Sequence, residues 1–232
     1  MNQEPNMQHS NKAAAVLIAV VMLIVGGLAG YAIAKSARSN DSNAHASASV
    51  PSSDTKAADL RSGLVSLGVE HMMLTDQAVS AALDGTGNAS ATGAALYKNG
   101  TNIGAAVGSV YGKDAETTFN TVWKLHLDEF VKYAVASKSG DAAGKQAALD
   151  TIDNQYTKPL AQYLAKANPN LPEKVLESSL REHVQMTAQM IDAHVQGDYT
   201  AETDQLAMAN KHLEGLFSTL AAGIVKQYPE KF

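Results

Sequence analysis

The feature that most restricts the fold of this chain is a motif that returns three times. Glu70-His71-Met72-Met73-Leu74-Thr75-Asp76-Gln77 aligns without gaps on Glu182-His183-Val184-Gln185-Met186-Thr187-Ala188-Gln189, and the two frames run on to Gly85 and Gly197-Asp198. A third copy, Leu125-His126-Leu127 to Gly140-Asp141, keeps the histidine, an alanine ten residues on (Ala81, Ala136, Ala193) and the glycine. The segments that follow, Ile103 to Tyr111-Gly112, Leu160 to Asn168-Pro169 and Leu220 to Tyr228-Pro229, each end an alanine-rich stretch at a helix breaker. Self-similarity of this kind marks one supersecondary unit copied along the chain. The unit reads helix, turn, helix, stop.

Hydrophobic periodicity supports helices throughout. Leu176, Leu180, His183, Thr187, Met190, Ile191 and His194 recur at steps of three and four and define one inward face, and no stretch alternates with period two. Glycine at Gly85-Thr86-Gly87, Gly140-Asp141 and Gly197-Asp198 suits the left-handed residue that closes a helix, with Thr or Asp placed to cap the next. Turns this short make neighbours antiparallel. The expected fold is all-α, three antiparallel hairpins (58–112, 113–170, 171–232) in one bundle, with helices near 58–84, 89–110, 114–138, 142–166, 172–196 and 199–227. The second is the weakest, because Asn99-Gly100 interrupts it. Gly100, Gly104 and Gly108 nevertheless fall four residues apart, as a flat face for close helix packing would need.

The N-terminal region has another character. Residues 1–12 are a short polar tail, and residues 13–34 (AAAVLIAVVMLIVGGLAGYAIA) carry no charge. At about 1.5 Å per residue that run reaches roughly 33 Å, enough for a transmembrane anchor. It ends in Ala32-Ile33-Ala34, a pattern signal peptidase accepts, so cleavage there would give a secreted form. The run is longer than a usual signal core, which favours the uncleaved, single-pass anchor. Lys12 before it and Lys35 and Arg38 after it orient it weakly. The Ser/Ala-rich linker of residues 35–57 suits a tether presenting the bundle outside the cytoplasm.

Composition narrows the function classes. The chain has no cysteine, which excludes disulfides and thiolate metal sites and leaves stability to core burial. A net charge of −5 with scattered basic residues provides no nucleic-acid footprint. The expected partner is the membrane, through the N-terminal helix; the sequence names no protein partner. His126-Leu127-Asp128-Glu129 lacks the second histidine of a helical zinc-protease motif, no Gly-x-Ser-x-Gly elbow is present, and Gly85-Thr86-Gly87 lacks the lysine of a phosphate loop. These absences favour a binding module over an enzyme.

The repeated histidine is the one candidate for chemistry. His71, His126 and His183 fall on inward stripes, beside Leu67 and Leu74, Val122 and Phe130, and Leu180 and Thr187; His212 lies inward on the last helix between Ala209 and Leu216, and His194 lies three turns beyond His183. Bundle metal sites are built from imidazoles and carboxylates projecting from facing helices. The candidate ligands are therefore His71, His126, His183 and His212 with Glu70, Glu129 and Glu182. Met72, Met73, Met186, Met190 and Met208 on the same helices would suit copper, whereas His and Glu alone would suit zinc or iron; haem with an axial histidine is a further possibility. The alternative is a metal-free envelope or adhesion scaffold in which each ring bonds a neighbour such as Thr75, Gln77, Thr187 or Gln189. Which holds depends on whether the first helices of the three hairpins meet on a common axis.

The Glu-His-x-x-x-Thr opening, the stretch Ile103-Gly-Ala-Ala-Val-Gly-Ser-Val-Tyr-Gly112, Ala167-Asn-Pro-Asn170 and the ending Ile224-Val-Lys-Gln-Tyr-Pro-Glu-Lys-Phe232 resemble a helical domain of exported, poorly characterised proteins of Gram-positive and related bacteria. Some of those are called copper amine oxidase N-terminal-like, after a separate β-rich module. The resemblance spans nearly all of residues 60–232 and implies an exported helical domain. This chain carries neither that module nor the cofactor-forming tyrosine motif, so the copper in the name does not transfer.

Overall fold

Helix ends in this chain follow from its capping residues, and they set the architecture. The computed structural model describes residues 55–232. The tail, the apolar run and all but the last residues of the linker lie outside that range. The elements are α1 (Lys56–Asp84), α2 (Ala89–Tyr111), α3 (Lys113–Ser139), α4 (Ala142–Ile152), a π-helical turn (Asp153–Thr157), α5 (Lys158–Ala167), α6 (Glu173–Gln196) and α7 (Tyr199–Gln227), closed by a 3₁₀ turn (Pro229–Lys231). No strand occurs among the described residues. Since α4 runs through the π turn into α5, these are six helical rods. None is long and apolar enough to cross a membrane.

α1, α3 and α6 each end in a left-handed glycine, Gly85, Gly140 and Gly197, with φ of 68, 71 and 72°. The amide one residue beyond each glycine reaches back to the repeated alanine: Thr86 to Ala81, Asp141 to Ala136 and Asp198 to Ala193, at 3.0, 2.8 and 3.0 Å. This satisfies a carbonyl the helix end would otherwise leave open. Asp141 and Asp198 then accept from the amides of Gly144 and Ala201 and start the next helices.

The rods pack as a closed ring: α1 on α2, α2 on α3, α3 on α4, α5 on α6, α6 on α7, and α7 back on α1. Inside the ring α1, α3 and α6 also touch one another pairwise. The three histidine-bearing helices therefore share the centre. The C-terminal ends of the outer helices meet as well: Asn168 Nδ2 donates to Tyr111 Oη, which donates to Gln227 Oε1, and Gln227 Nε2 returns to the Ala167 carbonyl, at 3.1, 2.9 and 2.9 Å.

Two irregularities serve the centre. A Cβ at Gly100 would lie 2.6 Å from the Trp123 ring, at Gly104 1.9 Å from Asn120, and at Gly108 2.6 Å from Glu116, so α2 lies against α3 where only glycine fits. The π turn precedes Pro159, which has no amide to donate and would crowd an ordinary helical turn. The turn is pinned by Asp153 to Lys158 and Arg181, and it carries Tyr156, wholly buried, into the core.

Candidate metal centre

His71 on α1, His126 on α3 and His183 on α6 come together where the inner helices meet. One ring nitrogen from each lies within 4.8 Å of the others. His71 is the hub, its ring centroid 5.7 Å from that of His126 and 5.8 Å from that of His183. All three are at most 2% exposed. Aromatic rings enclose them: Trp123 stands edge-on to His71 and His126 at 4.9 and 4.7 Å, and Tyr156 stacks on His126 at 4.2 Å.

The ring nitrogens are short of partners. His71 Nδ1, both nitrogens of His126 and His183 Nδ1 are buried and accept or donate no hydrogen bond among the described residues. The nearby hydroxyls are engaged elsewhere, Thr75 donating to the His71 carbonyl at 2.8 Å and Thr187 to the His183 carbonyl at 3.0 Å. Gln77 and Gln189 face solvent. Burial lowers the pKa of His71 to about 4, opposed by hydrogen bonding with the Asn99 side chain. Burial also holds His126 and His183 well below the usual histidine value, and the neighbouring imidazoles add to the effect. The rings are neutral at pH 7. A neutral imidazole with a free lone pair is the form that ligates metal.

The other candidate ligands lie apart from this group. Glu70 is exposed and accepts from Asn99 Nδ2 at 2.8 Å. Glu129 is buried, but its carboxylate pairs with Lys132 at 2.5 Å. Glu182 is exposed and lies 3.6 Å from His212 Nδ1, while His212 Nε2 donates to the Ser179 carbonyl at 2.8 Å. His194 belongs to a separate polar cluster, with Nδ1 2.9 Å from Glu202 and Nε2 3.2 Å from Asp84. The methionines divide: Met72 and Met190 are buried, and Met73 and Met208 are exposed.

Three residues outside the expected ligand set shape the site. Tyr156 has a buried hydroxyl with no partner, and burial pushes its pKa up; only the π turn brings it to His126. Trp123 was legible only as an apolar position. Asn99, which reads as a helix interruption, is buried and donates to both the Leu67 carbonyl and Glu70, holding that carboxylate off the triad. The triad also forms one end of a cavity of about 510 Å³ between α1, α2 and α3.

No protein-family model matches the chain, and no curated protein or solved structure matches it.

Proposed function

We propose that this protein is a membrane-anchored, extracytoplasmic helical module that binds one transition-metal ion, of the zinc or copper class, through His71, His126 and His183. The observation that carries this reading is the convergence of three buried, neutral imidazoles, each with at least one ring nitrogen that has no hydrogen-bond partner among the described residues. An unpaired polar group in an apolar interior costs about 1–3 kcal/mol. Three together are expensive for a scaffold, and a metal bound to all three would use their lone pairs.

The donor set suits the ion. Three imidazoles with no carboxylate in the group match a three-histidine zinc site that keeps a fourth position open, and imidazole is equally a copper ligand. Tetrahedral zinc with bonds of about 2.0–2.1 Å separates its ligand nitrogens by roughly 3.3 Å. The triad's atoms, within 4.8 Å of one another, need to close by at most about 1.5 Å to reach that separation. Nothing in the site positions a general base or a nucleophile. The reading is a binding module, with the apolar run as its anchor and the Ser/Ala-rich linker as its tether.

The test is elemental mass spectrometry on the full-length chain, purified without a histidine tag and dialysed against copper and zinc in turn. One ion per chain is expected in the wild type and in His212→Ala, and background levels in His71→Ala, His126→Ala and His183→Ala. Background metal in a folded wild type would overturn the reading and leave the metal-free scaffold in its place.

A further inference from the structure

We propose that the cavity beside the triad admits a small organic ligand with an apolar body and a single nitrogen or oxygen donor, which completes the coordination of the metal. This rests on the metal-binding reading above and adds an exogenous ligand to it.

The size of the space is the first argument. About 510 Å³ lies against the three histidines, within the roughly 300–1,000 Å³ of small-molecule sites and far more than the ~30 Å³ of a coordinated water. The second cavity that reaches His183 holds only about 60 Å³.

The lining is the second argument. Along α3 the cavity follows His126, Leu127, Phe130, Val131, Ala134 and Val135. Exposure rises from 0% at His126 and 5% at Phe130 to 63% at Val135, so the imidazoles form the deep end and the valines the mouth. No carboxylate lines it, and its one cation, Lys138, sits exposed at the rim with Nζ donating to the Leu83 carbonyl. Buried charge without a counter-charge is costly, so the body of a ligand here must be uncharged and apolar. The only polar groups at depth are the imidazoles and the hydroxyls of Thr75 and Thr187, and those hydroxyls donate to their own helices. A single donor atom directed at the triad is what this end can satisfy.

The space itself arises from small residues. The first turns of α2 cover the cavity with Ala89 and Gly93, and a Cβ at Gly93 would meet no atom within 4 Å. The opening is thus made by small residues on α2, and a larger side chain at Gly93 would enter it without displacing the core.

The experiment uses the full-length chain in nanodiscs, so that no detergent competes for the cavity, loaded with cobalt(II) as a spectroscopic substitute. The probes are 4-phenylimidazole and imidazole. A saturating change in the visible cobalt bands is expected with both, with 4-phenylimidazole about tenfold tighter or more because its phenyl ring is buried. Gly93→Phe should keep the cobalt stoichiometry and bring 4-phenylimidazole down to the affinity of imidazole; Val135→Trp, at the exposed mouth, is the second variant should the first fold poorly. Cobalt bound at one per chain with 4-phenylimidazole no tighter than imidazole, or insensitive to both variants, overturns the ligand site and leaves the metal reading intact. Absence of stoichiometric cobalt in the wild type overturns both.

Discussion

At the scale of single residues, the centre trades stability for neutral donors. His126 has both ring nitrogens buried without a partner, so replacing it by an apolar ring removes an uncompensated cost. His126→Phe is expected to leave the metal-free protein as stable or about 1 kcal/mol more stable, while abolishing any metal-induced rise in melting temperature; calorimetry with and without zinc measures both. The metal-free protein should also be acid-sensitive. His71 titrates near 4 when folded and at its ordinary 6.5 when unfolded, so the unfolded chain takes up the proton first as pH falls. Stability is then full above 6.5 and lost toward 4, by about 3 kcal/mol from this group alone. His126 and His183 act in the same direction. The outer cluster has the opposite sign. Burial opposes charge on His194, but hydrogen bonds to Glu202 and Asp84 outweigh it and raise the pKa, a contribution present below 6.5 and lost as pH climbs through the raised value. Asp76, pushed up to about 6 by burial and by the Glu202 carboxylate, likewise favours the folded state less as pH rises through 6. Urea midpoints between pH 4 and 8 should therefore fall on the acid side, and His194→Ala should flatten the alkaline side.

At the scale of elements, the contact between α2 and α3 transmits to the site. Gly100 faces Trp123, and Trp123 touches both His71 and His126. A methyl group at Gly100 must displace the indole, an overpacking cost of about 1–3 kcal/mol. Gly100→Ala is expected to lower stability by that order and to shift the emission of Trp123, the only tryptophan in the chain. Unchanged emission with unchanged stability would contradict so close an approach. The glycine spacing that signals this packing is visible in the sequence, whereas the π turn is not. The expected helix 142–166 runs through Pro159 without a break, and the wider turn that accommodates this proline carries Asp153 to Arg181 on another helix.

At the scale of the molecule, the ring is closed by α7 returning to α1. Ala209, Leu213, Leu216, Phe217, Ala221 and Ile224 on α7 are all buried. Removing six such side chains forfeits about 1.5–3 kcal/mol for each of the larger ones, comparable to the whole stability of a domain, about 5–15 kcal/mol. A chain ending at Gln196 is expected to lose the cooperative thermal transition, followed by circular dichroism. A sharp transition in that truncation would mean that the remaining five rods, α1 to α6, hold together without ring closure.

Much of this was readable before any coordinates. The helices lie within about two residues of their expected bounds, because caps and breakers such as Gly140-Asp141, Gly197-Asp198 and Pro229 act on the backbone within a turn or two. The inward stripe that places His183 beside Leu180 and Thr187 follows from the same 3.6-residue period. Local chemistry, however, says nothing of which stripes face one another. That α1, α3 and α6 share the centre, and so bring His71, His126 and His183 together, was settled by which apolar faces bury best against each other around the ring. The same long-range packing turned Glu70 toward Asn99 and Glu182 toward His212 and left the space beneath Gly93, whereas the pairing of Glu129 with Lys132 is local to one helix. Spacing along a helix places a side chain on a face; only the packing of distant helices decides what that face meets.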